Sequence, residues 1–170
     1  MSSISLSRHY LKSMKTSNLS SPPDKPIIVV LDDLKQRVDW LRSHVGDRAD
    51  IAWDVTVSGF LNKLKAAEST GRLFLVVLDH DLDFGVDKHL SKGENLDKNG
   101  HDGRTAARHL TLSDKSIPVL VWSMNGQMAL EMENILSKRG FNVSRMMYNF
   151  RQIIGNIVDR NLAQIESDAT

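Results

Sequence analysis

LFLVVLDHDLDFG, residues 73–85, decides the fold. Its first six residues are apolar without a break, as a strand must be when both faces of its sheet are covered. Asp79, His80, Asp81 and Asp83 then follow within five positions. Nothing in a protein interior tolerates such a cluster, so the strand runs through the core and delivers these groups to the rim of the sheet.

Outward from this strand, apolar blocks of two periods alternate five times. IIVVL (27–31) is a second wholly apolar strand, followed by Leu34, Val38, Leu41 and Val45 at helical spacing, which predict a helix over 34–45. IAWDVTV (51–57) reads as a strand, with Ser58 capping a helix that carries Phe60, Leu61, Leu64 and Ala67 and ends at Gly71. After residues 73–78 come a polar stretch at 83–100, a short helix (102–110), the strand IPVLVW (117–122) and a helix (127–138) ended by Gly140. The strand FNVSRMM (141–147) and a last helix with Ile154, Ile157, Val158, Leu162 and Ile165 on one side complete the chain. This is a (βα)5 α/β chain, and it predicts a three-layer, doubly wound, flavodoxin-like sandwich with strand order 2-1-3-4-5. The domain spans 27–166. Residues 1–26, Ser-rich and closed by SPPDKP, read as a flexible extension with a transit-peptide composition. The 83–100 insertion, longer than a usual strand-to-helix connection, reads as a lid.

The chain has 170 residues, 25% of them charged, with a formal net charge of +1 and no cysteine. Disulfides and thiolate metal sites are excluded, and a reducing, cytoplasmic setting is expected. The basic residues form no stripe, so nucleic acid is not indicated, and no apolar run reaches the roughly 20 residues that span a bilayer.

In the order 2-1-3-4-5 the first and third strands are neighbours, and a crevice opens at their carboxyl ends. The first strand ends in Asp32-Asp33, the third in Asp79-His80-Asp81 and the fourth in Ser123-Met124-Asn125. Two carboxylates about 5 Å apart repel by roughly 3 kcal/mol at an effective dielectric near 20, so the cluster requires a positive partner. Lys35, Arg104 and Arg145 are candidates, but carboxylate oxygens converging from separate strands also suit Mg2+ or Mn2+. Asp33, Asp79, Asp81 and Asp32 are the candidate metal ligands. Alternation along an extended segment turns His80 away from the face shared by Asp79 and Asp81, leaving it either a backbone-bonded structural residue or a proton donor. Gly100, Asp102 and Gly103 precede Arg104 at a helix start, either an Asp-capped turn or a phosphate cradle.

These residues resemble two related things. An acid pair after the first strand, an Asp 46 positions on and a hydroxyl after the fourth strand resemble the receiver domain of two-component signalling. There a lysine also follows the fifth strand, where this chain has only Arg145. The pieces LDDLK (31–35), LDHDL (78–82), GHD (100–102) and VWSMN (121–125) more closely resemble the cyclic-phosphate processing receiver domains of bacteria and phages, over residues 27 to about 140. Trp122 stands where that family usually has histidine, Lys35 where it has arginine and Gly126 where proline is common.

The resemblance implies a metal-dependent phosphoesterase acting on a nucleotide or ADP-ribose cyclic phosphate. Asp79, Asp81, His80, Ser123 and Asn125 are its expected catalytic residues, and Arg104, Lys35 and Ser123 its phosphate ligands. The alternative is a receiver-like module that binds metal or a phosphoryl group and alters a partner without turnover. Asp79-x-Asp81 also resembles the nucleophile motif of haloacid dehalogenase-type phosphatases, but that motif follows the first core strand and this one the third.

Overall fold

The computed structural model describes residues 25–82, 102–147 and 151–168. Strands β1 (Ile27–Leu31), β2 (Asp50–Asp54), β3 (Leu73–Leu78), β4 (Val119–Trp122) and β5 (Val143–Met146) form one parallel sheet in the order β2-β1-β3-β4-β5. Helices α1 (Lys35–Val45), α2 (Val57–Ser69), α3 (Gly103–His109), α4 (Gly126–Lys138) and α5 (Arg151–Asp168) alternate with the strands. The topology is the one the alternation of periods predicts. Most of the N-terminal extension and all of the 83–100 insertion lie outside the described residues.

The sheet separates two cores. Val29, Leu31, Val76, Leu78 and Val121 pack with Phe60 and Leu64 of α2, Ala106 of α3 and Met132 and Leu136 of α4. On the opposite face Ile28, Val30, Leu75, Val77, Leu120 and Trp122 pack with Val38 and Leu41 of α1 and Val158 and Leu162 of α5. Side chains such as Phe60, Leu41 and Leu75 are fully buried, and each contributes about 1.5–3 kcal/mol relative to exposure.

Pairing of β1 with β3 skips a residue: Ile27 lies beside Leu73, but Ile28 beside Leu75. This bulge puts Phe74 and Leu75 on the same face. Beyond it, even-numbered residues of β1 and odd-numbered residues of β3 face α1 and α5. One further step of the same alternation aims Asp32 and Asp79, the first residues past each strand, at α1.

Several element boundaries differ from the sequence expectation. The second strand stops at Asp54 rather than at 57, because the Asp54 carboxylate accepts from the Thr56 amide (2.9 Å) and hydroxyl (2.8 Å) and turns the chain. Thr56, not Ser58, then caps α2, its hydroxyl accepting from the Gly59 amide at 3.1 Å. The fourth strand starts at Val119, because Pro118 has no N–H to pair, and the fifth is trimmed at both ends to Val143–Met146.

Candidate functional site

The site begins with two turns. Past β1, Asp32 Oδ1 accepts from the Leu34 amide at 2.7 Å, which bends the chain into α1. Past β3, Asp79 Oδ1 accepts from the His80 amide, also at 2.7 Å. Each bond holds one carboxylate oxygen and turns the other toward α1. Both residues are 1% exposed. One oxygen each of Asp32, Asp33 and Asp79 lie within 4.8 Å of one another.

The cation among them is Arg37, which the sequence reading passed over. It stands one turn into α1 and is 3% exposed. Its Nε lies 3.0 Å from Asp32 Oδ2, its Nη2 bonds Asp79 Oδ2 and lies 3.9 Å from Asp33 Oδ1, and its Nη1 donates to the Trp122 carbonyl at 3.3 Å. The clue was available: Arg37 sits four residues before Leu41, on the stripe that faces the sheet. Burial, opposed by the Arg37 charge, still lifts the Asp32 carboxyl to about 7. Asp79 is raised too, with burial outweighing Arg37, a hydrogen bond from Ser123 and the His80 amide.

The three cations expected near the acids are engaged elsewhere. Lys35 pairs with Asp39 at 2.5 Å on the outer side of α1. Arg104 binds Asp102 (2.5 Å) and Glu131 (3.2 Å), and Arg145 binds Glu133 at 2.9 Å. Ser123 is fully buried beside Asp79, and its Oγ accepts from the Asn125 amide at 3.2 Å. Asn125 Oδ1 caps α4, accepting from the Met128 amide at 3.2 Å.

Asp81 does not join the other three acids. Its Oδ1 lies 2.6 Å from His80 Nδ1, and its side chain is half-exposed. Alternation stops applying there, since β3 ends at Leu78 and the chain bends at His80. Asp79 and Asp81 therefore share no face, contrary to the period-two argument. The His80 ring is buried between Asp81 and Asp102, its Nε2 3.8 Å from Asp102 Oδ2. Asp102 caps α3 through the Thr105 amide at 3.1 Å. Gly103 follows, its amide donating to the His80 carbonyl at 3.0 Å. A Cβ there would fall 2.0 Å from the Asp79 carbonyl oxygen, so only glycine lets α3 seat against the end of β3.

No protein-family model matches the chain, and no curated protein does either. Solved structures do. The BeF3-activated DrrB receiver domain superposes with a TM-score of 0.54 at 18% identity, covering 82% of this chain and 98% of that one. The receiver domain of the Francisella response regulator 1452 gives 0.51 at 14% identity, covering 83% and 99%. The fold is that of a receiver domain. At these identities the likeness speaks for the fold alone.

Within this receiver fold, the acids stand where adjacent β1 and β3 leave a crevice at the carboxyl edge of the sheet. Three hard oxygen donors within 4.8 Å match the span of a coordination sphere with metal–oxygen distances of about 2.0–2.6 Å. Asp32, Asp33 and Asp79 thus suit a divalent cation. Trp122 is buried under Arg37, whose guanidinium carbon lies 5.8 Å from the ring centroid. It packs into the core instead of offering a polar group to the crevice. No described helix is long and apolar enough to cross a membrane.

Proposed function

We propose that this receiver fold is a metal-dependent phosphoesterase that hydrolyses a cyclic phosphate of a nucleotide or of ADP-ribose, with Mg2+ or Mn2+ held by Asp32, Asp33 and Asp79. The observation that carries this reading is the convergence of those three carboxylates, from two neighbouring strand ends, within 4.8 Å. A divalent cation in that set supplies charge neutralisation for the phosphate and a lowered pKa for bound water. Ser123, whose hydroxyl now serves Asp79, donates to a phosphoryl oxygen when one enters. His80, braced by Asp81, is the group to pass a proton to the leaving oxygen. Lys35 and Arg104 contact phosphate only by leaving the acids they now bind. Asn125 serves chiefly by holding α4 and the Ser123 turn in place.

Incubation of the purified protein with Mn2+ or Mg2+ and a panel of cyclic phosphates tests the proposal. Turnover of at least one, lost in EDTA and reduced on the order of a hundredfold by Asp79→Asn, is expected. Absence of turnover across the panel at high protein concentration contradicts it.

One observation favours a second reading, a non-enzymatic receiver-like module. Arg37 already compensates the acids, and Asp79 is buried beneath it. In that case beryllofluoride binds at Asp79 and changes affinity for a partner, while no cyclic phosphate is consumed.

A further inference from the structure

We infer that Arg37 and a divalent cation compete for the same carboxylate oxygens, so that Arg37 is the built-in counter-ion of the pocket and sets how tightly metal is held. This rests on reading Asp32, Asp33 and Asp79 as the cation-binding set.

Asp32 has one oxygen on the Leu34 amide and the other on Arg37 Nε; Asp79 has one on the His80 amide and the other on Arg37 Nη2. Three of these four oxygens accept from an N–H donor, and the fourth, Asp32 Oδ2, is buried in an ion pair with Arg37 Nε without a hydrogen bond. The oxygens turned inward, those a metal needs, are the two that Arg37 bridges. A guanidinium cannot shed its proton to make room. It must move, or tolerate a divalent charge within a few ångströms inside a buried site, where screening is weak.

Arg37 has reason to stay. Its fork spans Asp32 and Asp79 together, its Nη1 is anchored on the Trp122 carbonyl, and its guanidinium faces the Trp122 ring. The Trp122 ring in turn meets Trp40 edge-on at 5.9 Å, and Trp40 stacks on His44 at 5.3 Å. Movement of Arg37 consequently changes the surroundings of a buried tryptophan, giving metal entry an optical signature. Arg37 thus compensates the acids from within the fold, and weak metal binding is the consequence.

The test is a titration of the full chain with Mn2+ and with Mg2+ at fixed pH, read by calorimetry and by tryptophan emission. Arg37→Met keeps apolar bulk against Trp122 while removing the charge. It is expected to bind metal at least roughly tenfold more tightly than wild type, and its unfolding temperature is expected to rise steeply with metal where that of wild type changes little. If Arg37→Met does not fold in EDTA, Arg37→Lys, which cannot bridge Asp32 and Asp79 at once, is the second variant and should also bind more tightly than wild type. Wild-type emission should shift on metal addition, and Trp122→Phe should remove that shift. Metal affinity unchanged or weakened in both Arg37 variants overturns the inference and leaves the cation site standing. Absence of binding by wild type and variants alike, at millimolar metal, overturns both.

Discussion

At Asp32 two opposing effects meet, and burial wins. The carboxyl is lifted from 3.8 to about 7 although Arg37 lies 3.0 Å away. The folded state therefore keeps a proton that the unfolded chain loses above about pH 4, and Asp79 is displaced in the same direction. The associated stability is fully present below pH 4 and is lost as pH rises through 7, on the order of 4 kcal/mol for Asp32. Denaturant unfolding in EDTA should show stability falling between about pH 4 and pH 7, with a shallower fall for Asp32→Asn. An equal slope in the two proteins contradicts the assignment. The same residue marks the limit of reading the sequence. Acids after apolar strands were visible as a pattern, but their cation was not, because Arg37 looks like one more charged residue of an amphipathic helix until the stripe it shares with Leu41 is set against the sheet.

At the scale of elements, the contact between α3 and β3 fixes the geometry around His80. Gly103 donates to the His80 carbonyl and leaves no room for a Cβ over the Asp79 carbonyl. Gly103→Ala should cost at least about 1–3 kcal/mol in thermal or chemical unfolding, because the clash is with backbone and the helix must shift as a body. A variant as stable as wild type shows that α3 has freedom this packing denies it. The caps were partly legible: Asp102 precedes a helix start, as capping residues do, whereas Asn125, expected as a catalytic residue, proves to cap α4. Thr56 was missed because Asp54, two residues earlier, ends the strand through its own side chain, and IAWDVTV shows no sign of that turn. Asp81 was misdirected for a related reason. Period-two alternation describes a strand, and the strand had already ended at Leu78.

For the whole molecule, topology was the most legible quantity. Five alternations of strand and helix period, with β1 and β3 apolar throughout, leave few arrangements besides a doubly wound parallel sheet. That order makes β1 and β3 neighbours and so brings Asp33 and Asp79, 46 positions apart, into one cluster. The bulge between Ile27 and Ile28 adds what topology alone does not. It sets the phase of β3 so that Asp79 falls on the α1 side with Asp32. Fold and cluster follow from these long-range constraints, whereas the chemistry performed depends on single side chains, and there Trp122 and Arg37 depart from what the motifs lead one to expect.

The most direct measurement is a crystal grown with Mn2+ and examined at a wavelength where manganese scatters anomalously. The account predicts one anomalous peak among the carboxylates of Asp32, Asp33 and Asp79, at coordination distance from at least two of them, with the Arg37 guanidinium displaced from the position it holds between Asp32 and Asp79. A fully ordered crevice with Arg37 still bridging Asp32 and Asp79, and manganese absent or bound elsewhere, contradicts it.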